Sequence, residues 1–417
     1  MSRDTGCAVP ARIADDREAL LDEIRDTVHY GSAALVFGAG VSKPACMPMW
    51  QGMISRMLGY AIQYDQKRKH PNDPGVPNEN LLRLSASLIT GSLELLGDVN
   101  PLESAEYVAQ FFAADQKKGD PLAEEIRQLA IREMVEKLLT DSLAPVELLE
   151  KTVRDADDEL KKLQPALISV KAGRAPDSAA QKQIACCNTL FAAAWLMAVE
   201  HGIPKAMSYN YDPLIQEQLT EIFGLDSKSL VTHPGRWNQG GLTPRPETRE
   251  LYHVHGFIPG GRHPDGASEQ IYPSHSGPII LSEDSYYRME REEAYNWSAS
   301  VQSSFLNRYN CVFVGFSAED FNFRRILRQI GSKKEDDKVH YLFLTVNDLA
   351  KSVRKSVERA LPSGLSEREQ ISRLDADTEL LLEQVLKSRE RYWGRFGVKP
   401  LFVTIEEIPE LLVGLVP

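Results

Sequence analysis

Short apolar runs that stop at a glycine or a polar turn recur along this chain. They lie at residues 33–37, 205–208, 251–254, 278–281, 311–314, 341–346 and 401–405. Segments with helical periodicity separate several of them, for example at residues 17–30, 212–223 and 321–330. Strands that alternate with helices favour a mostly parallel sheet that helices cover on both faces. The sequence therefore predicts an α/β fold.

The region from about residue 66 to 199 interrupts this alternation. It is rich in Leu, Ala, Glu, Lys and Arg, and segments such as 123–139 and 146–163 fit helices with one apolar stripe. We therefore predict an α/β domain formed by residues 1–65 and 200–417, with a large helical insertion at 66–199. The insertion is a candidate for oligomer or partner contacts, and it is equally compatible with a purely supporting role.

The charge balance and the apolar runs exclude several classes of protein. The net charge is −11, from 48 basic and 59 acidic side chains, and an acidic chain is a poor partner for nucleic acid. The charged N-terminal segment has no long apolar core, and no apolar run reaches the about 18 residues of a membrane span. We therefore expect a cytoplasmic protein with no membrane contact and no direct nucleic-acid binding.

The cysteines predict neither disulfides nor a metal site. No two of them have the spacing of a structural zinc site or of a disulfide framework. The five cysteines are Cys7, Cys46, Cys186, Cys187 and Cys311.

The first apolar run ends in a glycine turn that contains Gly38 and Gly40. In a parallel sheet, the first strand–helix turn is where the pyrophosphate of a dinucleotide docks, because glycine permits close approach and the helix terminus supplies N–H donors. The third glycine of the dehydrogenase pattern is absent, and no Gly-Lys-Ser/Thr sequence follows as in a P-loop. A tight turn without a ligand explains the pattern equally well.

Two further turns carry groups suited to chemistry. Asn210 and Asp212 follow the run at 205–208, where an amide and a carboxylate can bind ribose hydroxyls. Alternatively, Asp212 only caps the next helix. His253 and His255 lie at the end of the run at 251–254. A histidine has an ordinary pKa of roughly 6.5, which suits a general base. Alternation places both histidines on one face of a strand, so their spacing does not choose between them. No third ligand lies nearby to favour a metal site.

The run at 311–314 ends in Gly315, and Ser317 follows two residues later. The Ser317 hydroxyl could bind a ribose or a phosphate, or it could cap the helix that follows. Each of the four turns is weak evidence for a binding site when it is considered alone. All four, however, follow predicted strands of one α/β sheet.

In this order, the turns resemble the sirtuin-like superfamily, and more closely its bacterial antiphage NAD-consuming branch. The matching stretches are FGAGVS with the following PMW, SYNYD, LYHVHG, PIILSEDSY and VGFSAEDFN. They cover residues 33–60 and 204–346. The resemblance implies a Rossmann-like domain that binds NAD, as a substrate, across the carboxyl ends of its strands.

The resemblance also implies roles for individual residues. Asn210 and Asp212 would contact the nicotinamide-side ribose and order the attacking water, and His255 rather than His253 would be the catalytic histidine. The remaining matched residues would contact the phosphates and the adenosine half: Gly38, Ala39, Gly40, Ser42, Gly315 and Ser317.

The function implied is hydrolysis of NAD to nicotinamide and ADP-ribose, in antiphage defence by NAD depletion. In some bacterial systems, proteins of this branch work together with a HerA-type ATPase. The resemblance therefore implies such a partner, or self-assembly into a homo-oligomer. The chain lacks the cysteine-ligated zinc module of sirtuin deacylases, so we expect no zinc. The alternatives are an NAD or ADP-ribose sensor without catalysis, and an NAD-dependent protein deacylase or ADP-ribosyltransferase.

Overall fold

The computed structural model describes residues 17–43, 47, 53, 57, 188–233, 248–258, 279–281, 293–317, 321–331, 338–362 and 366–416. Its centre is a sheet of seven strands in the order β3-β4-β2-β1-β5-β6-β7, in which every neighbouring pair is parallel. The predicted α/β fold is therefore confirmed. The strands are β1 (Ala33–Phe37), β2 (Lys205–Ser208), β3 (Leu230–His233), β4 (Arg249–His253), β5 (Asn310–Val314), β6 (His340–Thr345) and β7 (Val398–Val403).

Helices cover both faces of the sheet, and successive strand residues pack into two separate cores. In β1, Leu35 and Phe37 join one core, whereas Ala34 and Val36 join the other. This is why β1 is apolar throughout instead of alternating with polar residues. The helices are α1 (Arg17–His29), α2 (Ala39–Ser42), α3 (Thr189–Ala198), α4 (Leu214–Glu217), α5 (Glu293–Arg308), α6 (Phe321–Gly331), α7 (Asn347–Ala360), α8 (Glu367–Gly394) and α9 (Ile408–Val413).

The order of the strands creates a switch point beside β1. From β1 the chain passes to β2, β3 and β4 on one side, and it then returns to β5 on the other side. Ligands of open α/β sheets bind in the crevice at the carboxyl ends of the strands at such a point. The carboxyl edge of β4, β2, β1 and β5 is therefore the place to look for a site.

The end of the predicted insertion contains a helix that belongs with the sheet. All ten residues of α3 are buried, and the Asn188 side chain caps it by accepting a hydrogen bond from the N–H of Phe191 at 2.9 Å. Its apolar residues, such as Trp195, lie in the same core as β1. We therefore propose that the insertion ends before Asn188; the rest of it, residues 66–187, lies outside the described residues.

Three predicted elements differ from those observed. The strand expected at 278–281 is wrong over its described part, because Ile280 makes one backbone hydrogen bond, to His255, and joins no strand. The short edge strand β3 was not predicted. The helix expected at 212–223 is split into α4 and a π-helical turn, Gln218–Ile222.

No helix in the described ranges is long and apolar enough to cross a membrane. Those ranges also contain no cluster of three or more His, Cys, Asp or Glu side chains that could hold a metal ion. Cys311 is buried in β5, and the other four cysteines lie outside the described residues.

Candidate functional site

The four turns singled out in the sequence meet at one edge of the sheet. Gly38 follows β1, Asn210 follows β2, His255 follows β4 and Gly315 follows β5. Since β4, β2, β1 and β5 are consecutive in a parallel sheet, their carboxyl ends are neighbours. Segments more than 270 residues apart in the chain are thus brought to the switch point (Gly38 to Gly315 is 315 − 38 = 277).

Asn210, Ser42 and Asp212 form a continuous hydrogen-bonded chain. The Asn210 Nδ2 donates to the backbone oxygen of Gly38 at 3.1 Å and to Ser42 Oγ at 3.0 Å. The Ser42 hydroxyl then donates to Asp212 Oδ1 at 3.1 Å. All three side chains are buried. The turn after β2 is therefore held against the turn after β1 by side chains of both.

This geometry gives Ser42 a role that sequence reasoning missed. Its side chain is 1% exposed, and its hydroxyl lies between the Asn210 amide and the Asp212 carboxylate. The predicted contact of Ser42 with NAD phosphates stays a prediction. What the contacts show directly is that Ser42 orients the two polar residues of the next turn.

Burial dominates the electrostatics of Asp212. Its loss of hydration raises the pKa from the ordinary 3.8 to about 6, although hydrogen bonds from Ser42 and from the N–H of Leu214 oppose the change. The Leu214 contact, at 3.2 Å, lies at the start of α4, so Asp212 accepts a hydrogen bond from the first residue of this helix and also joins the polar chain. A contact of this carboxylate with the following helix is thus observed, and its contact with a ribose stays a prediction.

Replacement of Asp212 with asparagine is expected to stabilise the protein above pH about 6 and to slow any reaction at this site. A raised pKa in the folded state means that the group favours folding below its unfolded pKa, and that this contribution is lost as the pH rises through about 6. The ionised carboxylate then costs on the order of 3 kcal/mol. Urea unfolding of both proteins as a function of pH measures the effect, which should shrink toward pH about 4. Equal stabilities at all pH values would contradict it.

His253 is a buried histidine that faces the backbone of Asn210. Its Nδ1 lies 3.1 Å from the Asn210 carbonyl oxygen, and its ring packs against Phe257 at 4.5 Å between centroids. Because a carbonyl can only accept, Nδ1 carries the proton in this contact. Burial lowers the pKa of His253 to about 4, so the ring is neutral near pH 7. Its other nitrogen, Nε2, is buried and has no hydrogen-bond partner among the described residues.

His255 has a different environment, although alternation predicted one face for both histidines. The strand β4 ends at His253, and Gly256 has a φ of 98°, so the strand geometry does not reach His255. The His255 ring lies edge-on to Tyr209 at 4.7 Å and near Tyr211 at 6.5 Å between centroids. These tyrosines flank Asn210, so His255 lies over the turn that carries Asn210 and Asp212.

The glycines at 38, 40 and 315 are required by the packing of two turns against each other. A Cβ on Gly38 would lie 2.5 Å from the Gly315 oxygen, and one on Gly315 would lie 2.3 Å from the Val41 nitrogen. The N–H of Gly40 donates to the Gly315 oxygen at 2.8 Å, and that of Gly38 to Val314 at 3.1 Å. This contact explains the glycines without a ligand, and their binding to phosphate stays a prediction.

The remaining two predicted binding residues lie at the same edge. Ala39 is the half-buried first residue of α2, and Ser317 is exposed two residues after Gly315. Their positions place both near the switch point. Their contacts with the adenosine half or the phosphates of NAD stay predictions.

A buried polar chain from α5 supports the site, and no sequence motif marked it. Tyr209 donates its phenol hydrogen to Gln302 at 2.8 Å, and Gln302 donates to Ser298 at 3.0 Å. The Ser298 hydroxyl donates to the carbonyl oxygen of Val254, the residue before His255, at 2.5 Å. Polar residues at positions 298 and 302, on the buried face of an otherwise ordinary amphipathic helix, are the signal that could have revealed it.

Comparison with known protein families finds a match over part of the chain. Residues 204–363 match the family model described as a SIR2-like domain. The matched part runs from just before β2 to just past α7, and it includes Asn210, Asp212, His255 and Gly315. No curated protein sequence matches the chain. SIR2-like domains are in general NAD-dependent enzymes, so the match supports a relationship with the sirtuin-like family and an NAD-related function.

Proposed function

We propose that this chain, with its SIR2-like segment and its cluster of polar residues at the switch point, hydrolyses NAD to nicotinamide and ADP-ribose. The observation that carries the proposal is the hydrogen-bonded chain of Asn210, Ser42 and Asp212. His255 lies against Tyr209 and Tyr211, the neighbours of Asn210 in the same turn. An amide, a buried carboxylate and a histidine at the carboxyl ends of adjacent strands can supply the hydrogen bonds, the charge and the proton acceptor that this reaction uses.

The chemistry asks for a site that stabilises positive charge and directs a water. As the bond between nicotinamide and ribose breaks, its electron pair passes to the nicotinamide nitrogen, and positive charge develops at the anomeric carbon. A water attacks that carbon from the opposite face, forms the new C–O bond and gives up a proton. The protein's contribution is to hold the ribose and the water in line and to accept that proton.

Asn210 is suited to hold the water or a ribose hydroxyl. Its Nδ2 is already used by Gly38 and Ser42, which fixes the plane of the amide. Among the described residues, none donates a hydrogen bond to its Oδ1. A fixed, unshared amide oxygen can accept a hydrogen bond from the attacking water and orient it.

Asp212 and His255 divide the electrostatic and proton-transfer roles. An ionised Asp212, in a buried environment where charge interactions are strong, favours positive charge on the ribose. His255 accepts the proton of the water or of a ribose hydroxyl, which is a contribution of typically about 10²–10⁴-fold. Asp212 also fixes Ser42, so the three roles depend on one another.

Hydrolysis is favoured over protein deacylation because the sequence has no cysteines spaced for the zinc module of sirtuin deacylases. The physiological setting that we propose is antiphage defence by NAD depletion in the cytoplasm. Control by self-assembly into a homo-oligomer, or by a HerA-type ATPase partner, belongs to the same proposal. These proposals rest on the resemblance to the antiphage branch, and the insertion is our candidate for such contacts.

Substitution of His255 with asparagine is expected to lower nicotinamide release by about 10²–10⁴-fold, because the proton acceptor is lost. The assay is nicotinamide release from NAD by the purified chain, with no acyl peptide or acceptor protein present. The matched control is His201→Asn at an exposed histidine with a φ of 62°, a conformation that asparagine tolerates. It should retain the wild-type rate.

The same assay separates the rival functions. Release that requires an acyl-lysine peptide or an acceptor protein would indicate a deacylase or a transferase. NAD binding in calorimetry without release, under all conditions and with candidate partners added, would indicate a sensor. Unchanged release by His255→Asn would remove His255 from the mechanism.

A further inference from the structure

The carbonyl oxygens of the turn after β2 are held by the segment that follows β4. The Ser208 oxygen accepts from the N–H of Val254 at 3.0 Å, and the Tyr211 oxygen accepts from the N–H of Ile258 at 2.9 Å. The backbone oxygen of Asn210, which lies between these two carbonyls in the chain, is 3.1 Å from Nδ1 of the His253 side chain. The turn is thus fixed by backbone contacts on both sides of Asn210, and by the imidazole at Asn210 itself.

We propose that His253 is a positioning residue for the reaction, which holds Asn210 in place through the hydrogen bond from its Nδ1 to the Asn210 carbonyl. This inference rests on the proposed function. It adds a residue, His253, that is not among the predicted catalytic residues. His253 acts through Asn210 and does not itself exchange a proton with the substrate.

The burial of His253 supports this role over a purely structural one. The ring is 1% exposed and packs against Phe257, and its Nε2 has no hydrogen-bond partner in the part of the chain that the structure describes. A buried acceptor without a partner lowers stability, and an apolar side chain of similar size would remove that cost at Nε2 while it takes away the donor to the Asn210 carbonyl. The hydrogen bond from Nδ1 to the Asn210 carbonyl is therefore the interaction that a histidine makes at this position and a leucine cannot make.

The position of Asn210 matters because its side chain is the centre of the polar chain. A shift of its backbone would move the Nδ2 contacts with Gly38 and Ser42. It would also move the Oδ1, which in the proposed reaction accepts a hydrogen bond from the attacking water. Misplacement of a reacting group by about 1 Å can cost about 100-fold in rate. Loss of the His253 contact should thus appear in kcat and leave KM for NAD little changed.

Two substitutions of His253 separate positioning from folding. His253→Leu keeps the size of the side chain and removes the donor, so it should lower kcat by about 10- to 100-fold. Its thermal stability should change little, because one unpaired group, His253 Nε2, is exchanged for another, the Asn210 carbonyl. His253→Asn retains an amide N–H near the position of Nδ1, so it should recover most of the rate, although its smaller side chain should lower the unfolding temperature. Stability and rate are then expected to rank the two variants in opposite orders.

The decisive experiment measures nicotinamide release, thermal unfolding and NAD affinity for the wild type, for these two variants and for each in an Asn210→Ala background. His253→Leu should weaken NAD binding, if at all, only while Asn210 is present, because it acts through that residue. An active wild type with an unchanged kcat in His253→Leu would overturn the inference and leave the proposed function standing.

A wild type that binds NAD without releasing nicotinamide would overturn the proposed hydrolysis and, with it, a positioning role in that reaction. With an active wild type, a loss of NAD affinity in His253→Leu that persists in the Asn210→Ala background would overturn the inference alone. A chain that does not bind NAD would overturn both.

Discussion

Replacement of Asn210 with alanine is expected to lower nicotinamide release from NAD by at least about 100-fold without unfolding the protein. Alanine removes the amide that joins Gly38 and Ser42, and it removes the Oδ1 that would orient the attacking water. The loss should fall on kcat, because the interaction matters most in the transition state. Initial rates over a range of NAD concentrations, together with a thermal unfolding curve, measure both parts of the prediction.

The matched control is Asn307→Ala. Asn307 is exposed on α5, and its side chain donates only to the carbonyl of Ser303, one helical turn away, at 2.7 Å. This variant should hydrolyse NAD at the wild-type rate. If Asn210→Ala also does so while it remains folded, the site that we propose is not the reacting centre.

The second large effect concerns stability. Gly315→Ala is expected to lower the free energy of unfolding by about 2–5 kcal/mol, because a left-handed backbone costs about 1–2 kcal/mol and overpacking about 1–3 kcal/mol. Gly315 has a φ of 62°, and the added Cβ would lie 2.3 Å from the nitrogen of Val41. Neither backbone can retreat easily, because the N–H of Gly40 donates to the Gly315 oxygen. Urea unfolding of purified wild type and variant gives the difference.

Substitutions at two other glycines distinguish the cost of the left-handed backbone from the cost of the steric overlap. Gly31 has a φ of 65°, but an added Cβ there would have no atom within 4 Å, so Gly31→Ala should show the backbone cost alone. Gly394, at the end of α8, has neither constraint, and Gly394→Ala should be close to neutral. A loss in Gly315→Ala no larger than that in Gly31→Ala would show that the two turns can move apart.

Two groups at the candidate site lower the stability of the folded protein. Burial of the Asp212 carboxylate and of an unpaired nitrogen on His253 both lower the stability of the fold. Both groups adjoin Asn210, directly or through Ser42. Residues at which function and stability conflict in this way are the ones expected at a binding or catalytic site.

Local sequence patterns were sufficient for much of the fold. The run at 33–37 coincides with β1, and the run at 205–208 with β2, because a short apolar segment that ends at a glycine or a polar turn has few alternatives to a buried strand. The ends of these strands also marked the turns at Gly38 and Asn210. Where the pattern was ambiguous, as at 278–281, an apolar segment that packs without pairing has the same local pattern as a strand.

The sequence by itself determined which residues could do chemistry and that they close parallel strands, since strand ends and residue types are local properties. Only the tertiary structure decided how they are used. Ser42 meets Asp212 across 170 residues, and His253 meets Asn210 across 43. Such contacts depend on the order of strands in the sheet and on the end of β4 at His253, which separates two histidines that spacing alone left equivalent.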